Sequence, residues 1–317
     1  MVLSNSAQSS DVTGSFAQVE FRPSRPDEVP DALRLILGGP AGLAPDEQVG
    51  EFLQFAHQRG IDLQQMWVIG SGGRMGWAIL PIVSPGRTML LFTPTQRPRG
   101  IDVGPMIEAL CNRFAQQGVH LAQALVDPSD MQGRQLYAAH GFREMAELIY
   151  LQAAVRRTAP PQLPDGLSWQ TYSSDVHAAF AQAILDSYQQ SLDCPALNGL
   201  RAIEDIIAGH KASGEFDLRF WFVLTGQSGA VGVVLLNRVS RSDMAELVYF
   251  GLSPAWRGRG LGDLMLRHAM WAVRQMNLNR LTLAVDSRNA PALKLYYRHG
   301  LQQVGSKTAL MRDLRSV

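Results

Sequence analysis

Residues 257–262 read Arg-Gly-Arg-Gly-Leu-Gly, between an apolar run that ends at Leu252 and a stretch spaced like a helix. That composition suits anion binding. The first N–H groups of a helix have no partner within it and carry the positive end of its dipole, so a phosphate docks there. Glycine admits positive φ and lets the backbone approach a bulky anion. Arg257, Gly258, Arg259, Gly260, Leu261 and Gly262 therefore read as a pyrophosphate cradle, with the arginines adding charge at its rim. Two other groups suit proton chemistry. Glu246 is a carboxylate on a mostly apolar strand, where desolvation raises the pKa towards the range of a useful base. Even spacing puts it on the face of Val248, Phe250 and Leu252 unless a bulge shifts the phase. Tyr296 is a phenol that can give a proton or hydrogen bond to a leaving group.

Each of these has a plainer reading. A Gly-rich turn can simply join strand to helix, but three glycines in five positions exceed what one turn needs. A dinucleotide-binding turn would use Asp286 at the end of the next strand; here the pattern is GxGxG, Asp263 stands at the third-glycine place, and the turn is too long. Glu246 could be an edge carboxylate paired with Arg238 or Arg241. Tyr296 could be a packing residue, since Leu293, Tyr296, Tyr297 and Gly300 share helical spacing and Gly300 resembles a C-terminal cap. His268 lies on an apolar helical stripe and His299 in a last helical turn; neither reads as a catalyst.

The elements that must position these groups form two halves with one plan. In the second half, residues 167–172, the "RFWFVL" and "AVGVVLLNRV" runs, "MAELVYFGL" and "RLTLAV" read as strands. Residues 176–190, 202–212, 261–276 and the "APALKLYYRHG" stretch read as helices, the third with Leu261, Leu264, Met265, His268, Ala272, Val273 and Met276 on one face. The first half repeats the order: "MWVIG", "MGWAILPIV", "TMLLFTP" and "LAQALV" as strands, residues 106–117 as a helix, and "GRQLYAAHGF" against "ALKLYYRHGL". Tyr137 and Tyr296 lie 159 positions apart, and Pro94 and Pro254 lie 160 apart, which indicates internal duplication. The expected layout is a disordered tail over 1–17, a first domain over 18–155, a Pro-rich linker over 156–166 and a second domain over 167–317.

The 317 residues are 46% hydrophobic and 18% charged, with a net charge of +1. No global field favours nucleic acid or an anionic membrane, so any anion site must be local. No transmembrane run or signal peptide is expected. The two cysteines, Cys111 and Cys194, belong to no metal-spaced or CxxC cluster and fit a reducing compartment, hence the cytoplasm. No metal site is expected among the seven histidines.

Two ordered motifs resemble the Gcn5-related N-acetyltransferase (GNAT) superfamily. Arg257, Gly260 and Gly262 fill its R/Q-x-x-G-x-G/A loop. Asn289, Ala292, Leu295, Tyr296 and Gly300 fill its N-x-x-A-x-x-L-Y-x-x-x-G motif. The resemblance covers most of residues 167–317 and, more weakly, 21–155. The tandem layout is similar to that of mycothiol synthase and related two-domain acetyltransferases. The resemblance implies an α/β fold of two mixed, mostly antiparallel sheets flanked by helices. It implies that the loop binds the pyrophosphate of acetyl-CoA as co-substrate, that the preceding strand splays from its neighbour, and that Phe250, Gly251 and Leu252 pair with the pantetheine arm. Asn289 would cap the last helix and contact the cofactor arm.

Acetyl transfer to an amine needs a neutral amine, a stabilised oxyanion and a protonated thiolate. A lysine-like amine is neutral only about once in 10³ molecules at pH 7, so a base helps. Glu246 is assigned that role, directly or through water, Tyr296 the acid, and the Leu252 N–H the oxyanion donor. Neither cysteine lies in the matched motifs, so transfer is expected to be direct. Aligned on the prolines, the first half has Arg97 and Gly100 at matching places. It has Pro98 for Gly258, Asp102 for Gly262, Gly86 for Glu246 and Asp130 for Asn289. It keeps Tyr137, and Arg97 and Arg99 remain near the loop. It reads as a degenerate domain. The acceptor, a small-molecule or peptide amine, would be lined by residues 187–199, whose lack of an acidic cluster favours a small or weakly charged amine. The competing reading is a non-catalytic acyl-CoA-binding or interaction module. Oligomeric state is not legible.

Overall fold

The computed structural model describes residues 20–39, 42–71, 74–98 and 100–315. The expected tail over 1–17 and Arg99 lie outside them. Two compact units emerge from the contacts: residues up to 80 with 93–106, and residues 81–92 with 107 onwards. Among the described residues no helix is long and apolar enough to cross a membrane.

In the smaller unit β1 (Glu20–Pro23), α1 (Val29–Leu37) and α2 (Asp46–Arg59) precede the hairpin of β2 (Trp67–Ser71) and β3 (Arg74–Ser84). β2 pairs antiparallel with both β1 and β3. The larger unit holds β4 (Thr88–Phe92), most of α3 (Gly104–Gln116), β5 (Leu121–Val126), α4 (Met131–Ala139) and β6 (Arg143–Ala154). Residues 156–166 then run without helix or strand. Beyond them come β7 (Ser168–Thr171), α5 (His177–Tyr188), α6 (Ile203–Ala212), β8 (Glu215–Gly226), β9 (Gly229–Arg238) and β10 (Met244–Leu252). The chain closes with α7 (Leu261–Gln275), β11 (Arg280–Asp286), α8 (Ala290–Arg298) and β12 (Gln302–Asp313).

Strands of the larger unit run β4-β5-β12-β6-β11-β10-β9-β8-β7. Among the described residues only β4–β5 and β10–β11 pair in parallel, one such pair in each half of the chain. β6, the last strand of the first half, lies between β11 and β12, while β12, the last of the second half, pairs with β5 as well as β6. The two halves thus exchange their final strands. That exchange explains why residues 107–155 group with the C-terminal half, and why these strands run continuously instead of closing two separate sheets.

Helices cover both faces around β8 to β11. On one face α7 contributes Leu264, Met265, Ala269, Ala272 and Val273 to a core shared with β6, β9, β10, β11 and α8. The 3.6-residue period of that apolar stripe is what seats α7 on the sheet. On the other face Phe180, Ala183 and Ile184 of α5 and Ile206 and Ile207 of α6 pack on Trp221, Val223, Val233 and Leu235.

Candidate active site

β10 and β11 pair over only three rungs, the last being Glu246 with Thr282. Beyond that rung the strands diverge, and a cleft of about 610 Å³ opens between residues 247–252 and Leu283–Val285. On its far side β10 stays paired with β9 as far as Leu252, with Val248 bulged out of register. A bulge adds local twist, which turns β10 away from β11. Ser253 N–H donates to Val231 O (3.0 Å) on the β9 side. Strand alternation therefore turns the Leu252 N–H and carbonyl towards the cleft. An edge without a strand opposite it offers a row of backbone donors and acceptors.

The mouth of the cleft is the start of α7. Gly258 and Gly260 adopt φ +74° and +78°, the left-handed region where glycine alone is unstrained. Gly260 is the N-cap, and no side chain caps the helix. Gly258, Gly260 and Gly262 all line the cleft, and the N-terminal N–H groups of α7 face it uncapped. Asp263 also lines it, but its carboxylate is held by His299 Nε2 (2.8 Å), Arg298 Nη2 (2.9 Å) and Arg267 Nε (3.0 Å). These partners keep its pKa below the ordinary value, the bond from His299 foremost.

The two arginines of the loop part company. Arg257 lines the cleft, yet its guanidinium is spent on carbonyls: Leu252 O (3.1 Å), Gln190 O (3.1 Å) and Ser187 O (2.8 Å). It clips the carbonyl end of α5 to the loop, a favourable place for a cation. Arg259 is not brought to the cleft. It lies over the Trp256 ring (5.2 Å), and with Leu261 it lines a separate surface groove. Phe250, Gly251, Leu252, Asn289 and Tyr296 do line the cleft. A Cβ on Gly251 would stand 2.6 Å from the Ser187 Cβ, so this glycine also lets α5 approach β10.

Glu246 occupies the vertex where the strands part, but not the face even spacing gives it. Ala245, Leu247, Phe250 and Leu252 face the α7 core, whereas Val248 and Tyr249 face α5 and α6. The bulge at Val248 reverses the phase, so Glu246 shares the face of Val248 and Tyr249 and not that of Phe250 and Leu252. Burial pushes its pKa up, against the opposing hydrogen bond from Ser213 Oγ to Oε2 (3.1 Å). Arg238, one of the partners considered for it, lies 4.0 Å from Glu215 instead. Tyr249, on the same face, bonds Ser187 Oγ (2.6 Å) and lies 5.3 Å from the His210 ring.

Tyr296 is 6% exposed, its ring 6.3 Å from that of Phe250. Burial raises its pKa above the ordinary phenol value, which keeps the proton on oxygen. Asn289 caps α8 by accepting from Ala292 N–H (3.4 Å) and also bonds Asp193. Asp193 is exposed by residue area, but its Oδ1 turns inwards to accept the Asp286 N–H (2.9 Å); desolvation there raises its pKa. Next to it the Cys194 thiol is pushed up to about 12 by burial, and Cys111 likewise, so neither is a ready nucleophile. His268 stacks on Trp169 (4.2 Å), and burial takes its pKa down to about 4. Of residues 187–199, expected to line an acceptor pocket, those from Ser187 to Asp193 except Gln189 line this same cleft, and Leu197 lines another cavity. Ser213, Arg201 and His210 escaped the sequence reading, since nothing in their local pattern ties α6 to a strand edge.

Residues 185–301 match the acetyltransferase (GNAT) family. A mycothiol acetyltransferase of Corynebacterium glutamicum is 27% identical over 163 residues, which cover 50% of this chain and 54% of that one. This chain thus spans about half the length of that curated relative. A GCN5-related N-acetyltransferase structure from Sphaerobacter thermophilus superposes with a TM-score of 0.64 at 17% identity, covering 94% of this chain and 96% of that one. A tandem GNAT protein from the clavulanic acid biosynthesis pathway gives 0.53 at 16% identity, covering 94% and 99%. The strand-exchanged arrangement of paired β-α halves is thus a tandem GNAT fold, and within it residues 185–301 are the part similar to the acetyltransferase (GNAT) family.

Proposed function

We propose that the chain is an acetyl-CoA-dependent N-acetyltransferase with one active site, in the β10/β11 cleft of its C-terminal half. The observation that carries this is the conjunction in one cavity of an unpaired strand edge, an uncapped helix N-terminus opened by left-handed glycines, and a protonated tyrosine. These fit the co-substrate part by part. Gly258, Gly260 and Gly262 with the α7 amides would hold the pyrophosphate, and Phe250, Gly251 and Leu252 the amide-bearing arm. Acetyl-CoA supplies an activated acetyl thioester.

The chain's own groups divide the remaining work. The Leu252 N–H, turned to the cleft, donates to a carbonyl oxygen that gains charge. Glu246, with its raised pKa at the vertex of the splay, accepts the amine proton, either itself or through a water. Tyr296 keeps its proton at neutral pH and gives it to the departing sulfur. With both thiols pushed to about 12, direct transfer is favoured over an acyl-cysteine. The acceptor is a small-molecule amine, by analogy with the relative named mycothiol acetyltransferase.

The test is calorimetric titration of acetyl-CoA, followed by thiol release on a panel of amines. Saturable binding at one site per chain with turnover supports the reading. Binding without turnover on any amine returns the chain to a non-catalytic acyl-CoA module. Absence of binding removes the coenzyme altogether.

A further inference from the structure

A second cavity of about 300 Å³ adjoins Glu246 through one hydroxyl. Ser213 lines it and also donates to Glu246 Oε2, while His210, another wall residue, lies against the ring of Tyr249, which lines the cleft. Among the described residues no carboxylate lines this cavity, and Arg201 is the one charged lining group. His210 is neutral, because burial takes its pKa down to about 4.

Arg201 makes no direct ion pair with a carboxylate among the described residues. Its Nη2 donates to two main-chain oxygens, Asp205 O (2.7 Å) and Gly86 O (3.5 Å). The Asp205 carboxylate itself lies by Arg87 Nε (3.6 Å). Arg201 Nε and His210 Nε2 are both buried without a hydrogen-bond partner. Burial works against the charge of Arg201 and lowers its pKa, outweighing the longer-range attraction of Tyr188 and Asp205. A cation kept in such a place needs an anion.

Its position is also built. An added Cβ on Gly86 would clash first with the Asp205 main-chain oxygen and then with Arg201 Nη2 (2.6 Å), and one on Gly209 would stand 2.8 Å from Arg201 Nη2, so the Asp205 carbonyl and the guanidinium come this close because both residues are glycine. Gly86 has φ +87°. The remaining walls mix Gln123 and Ser213 with Leu121 and Met311, enough apolar surface for a short side chain.

We infer that this cavity is the acceptor pocket and that the acceptor is an amine carrying a carboxylate, of α-amino-acid type, whose carboxylate docks on Arg201 while its amine points past Ser213 towards Glu246. The inference rests on the acetyltransferase reading. It replaces the expectation of a weakly charged amine with that of a zwitterion.

The test uses the full chain with saturating acetyl-CoA and reads thiol release. The probes are the L-α-amino acids, their methyl esters and the corresponding decarboxylated amines. The free acids are expected to exceed their esters in kcat/KM by at least about tenfold. Arg201→Met should abolish that ratio while leaving acetyl-CoA affinity unchanged. Gly209→Ala keeps the charge but displaces the guanidinium, and should raise the acceptor KM more than it lowers kcat. Because it suits a helix, it also tests the idea if Arg201→Met fails to fold. Equal rates on acids and esters, or turnover of none of the acids by a chain that turns over another amine, overturns the pocket assignment and leaves the acetyltransferase reading intact. Failure to bind acetyl-CoA overturns both, and is told apart by that measurement alone.

Discussion

The chain crosses from strand to helix twice by the same route, and the two crossings treat an anion in opposite ways. After β10 the loop places Gly258 and Gly260 in the left-handed region and leaves α7 without a side-chain cap. After β4 the loop keeps one left-handed glycine, Gly100, carries Pro98 where Gly258 stands, and brings Asp102 to the helix start. Asp102 Oδ1 accepts the Gly104 N–H at 2.9 Å. One loop thus leaves its helix start without a side-chain acceptor, and the other supplies its own carboxylate. The two loops share a strand-to-helix order and differ in a few side chains.

The largest separation between the halves should come from Glu246, for which the first half has Gly86. Glu246→Gln is expected to lower kcat by about 10² to 10⁴ with acetyl-CoA affinity unchanged, checked by steady-state kinetics beside calorimetry. Its pKa is raised by burial, so the acid limb of kcat/KM should lie above the ordinary 4.5 and vanish in the variant. The stability effect has a definite sign. A folded-state pKa above the unfolded one helps folding while both states are protonated, and that help is lost as pH rises through the folded pKa. Glu246→Gln should therefore unfold at a higher temperature than wild type at pH 7, a gain that disappears towards pH 4. An unchanged kcat would put the base elsewhere. Gly86 itself has another use: its missing side chain leaves room for the Asp205 carbonyl and for Arg201.

Transplanting the answer of the first loop into the second tests the comparison directly. Gly262→Asp copies Asp102 onto the start of α7. The site has room, since an added Cβ would meet only Leu295 Cδ2 at 3.4 Å and Leu252 Cδ1 at 3.9 Å. The variant should fold, and its carboxylate should compete for the helix amides and repel phosphate. Acetyl-CoA affinity is expected to fall by about 10- to 100-fold by calorimetry, more at low salt than at high salt. Affinity equal to wild type would mean that the α7 amides do not hold the coenzyme.

Sequence pattern was most informative where one period dominated. α7 carries an unbroken apolar stripe, and β10 and β5 coincide with their apolar runs. α2 escaped because only Val49 and Ala56 of its fourteen residues are buried, too few for a helical stripe. The strand exchange was illegible: β6 and β12 would read the same whichever half they joined, since partner choice is not a local property. The loop glycines were readable from their type. The partners of Arg257 were not, because the carbonyls of Ser187 and Gln190 approach from seventy and sixty-seven positions away. Glu246 was singled out by its type, but one bulged residue moved it off the face of Phe250 and Leu252.

In the first half, the cap on α3 should matter to folding and not to ligand. Asp102→Ala removes the bond to Gly104 N–H, a loss of about 0.5 to 2 kcal/mol by denaturant titration. It should create no second acetyl-CoA site, because Pro98 still withholds an N–H where Gly258 supplies one. Two sites per chain in this variant would show that Asp102 alone had silenced the loop.

The smallest effect is expected from Arg259, and its smallness is the point. By charge and spacing Arg257 and Arg259 are equivalent in the sequence. In the structure Arg257 ties α5 to the loop, whereas Arg259 is exposed and lies over Trp256, off the cleft. An exposed charge acts on a distant anion only through screened solvent, so Arg259→Ala should change acetyl-CoA affinity by no more than about twofold at physiological salt. If removing Arg259 instead weakens binding tenfold, the coenzyme runs across the groove of Trp256 and Leu261, and the anion site is wider than the α7 amides. The two outcomes separate a cradle made of backbone, where arginine serves the fold, from one made of side-chain charge.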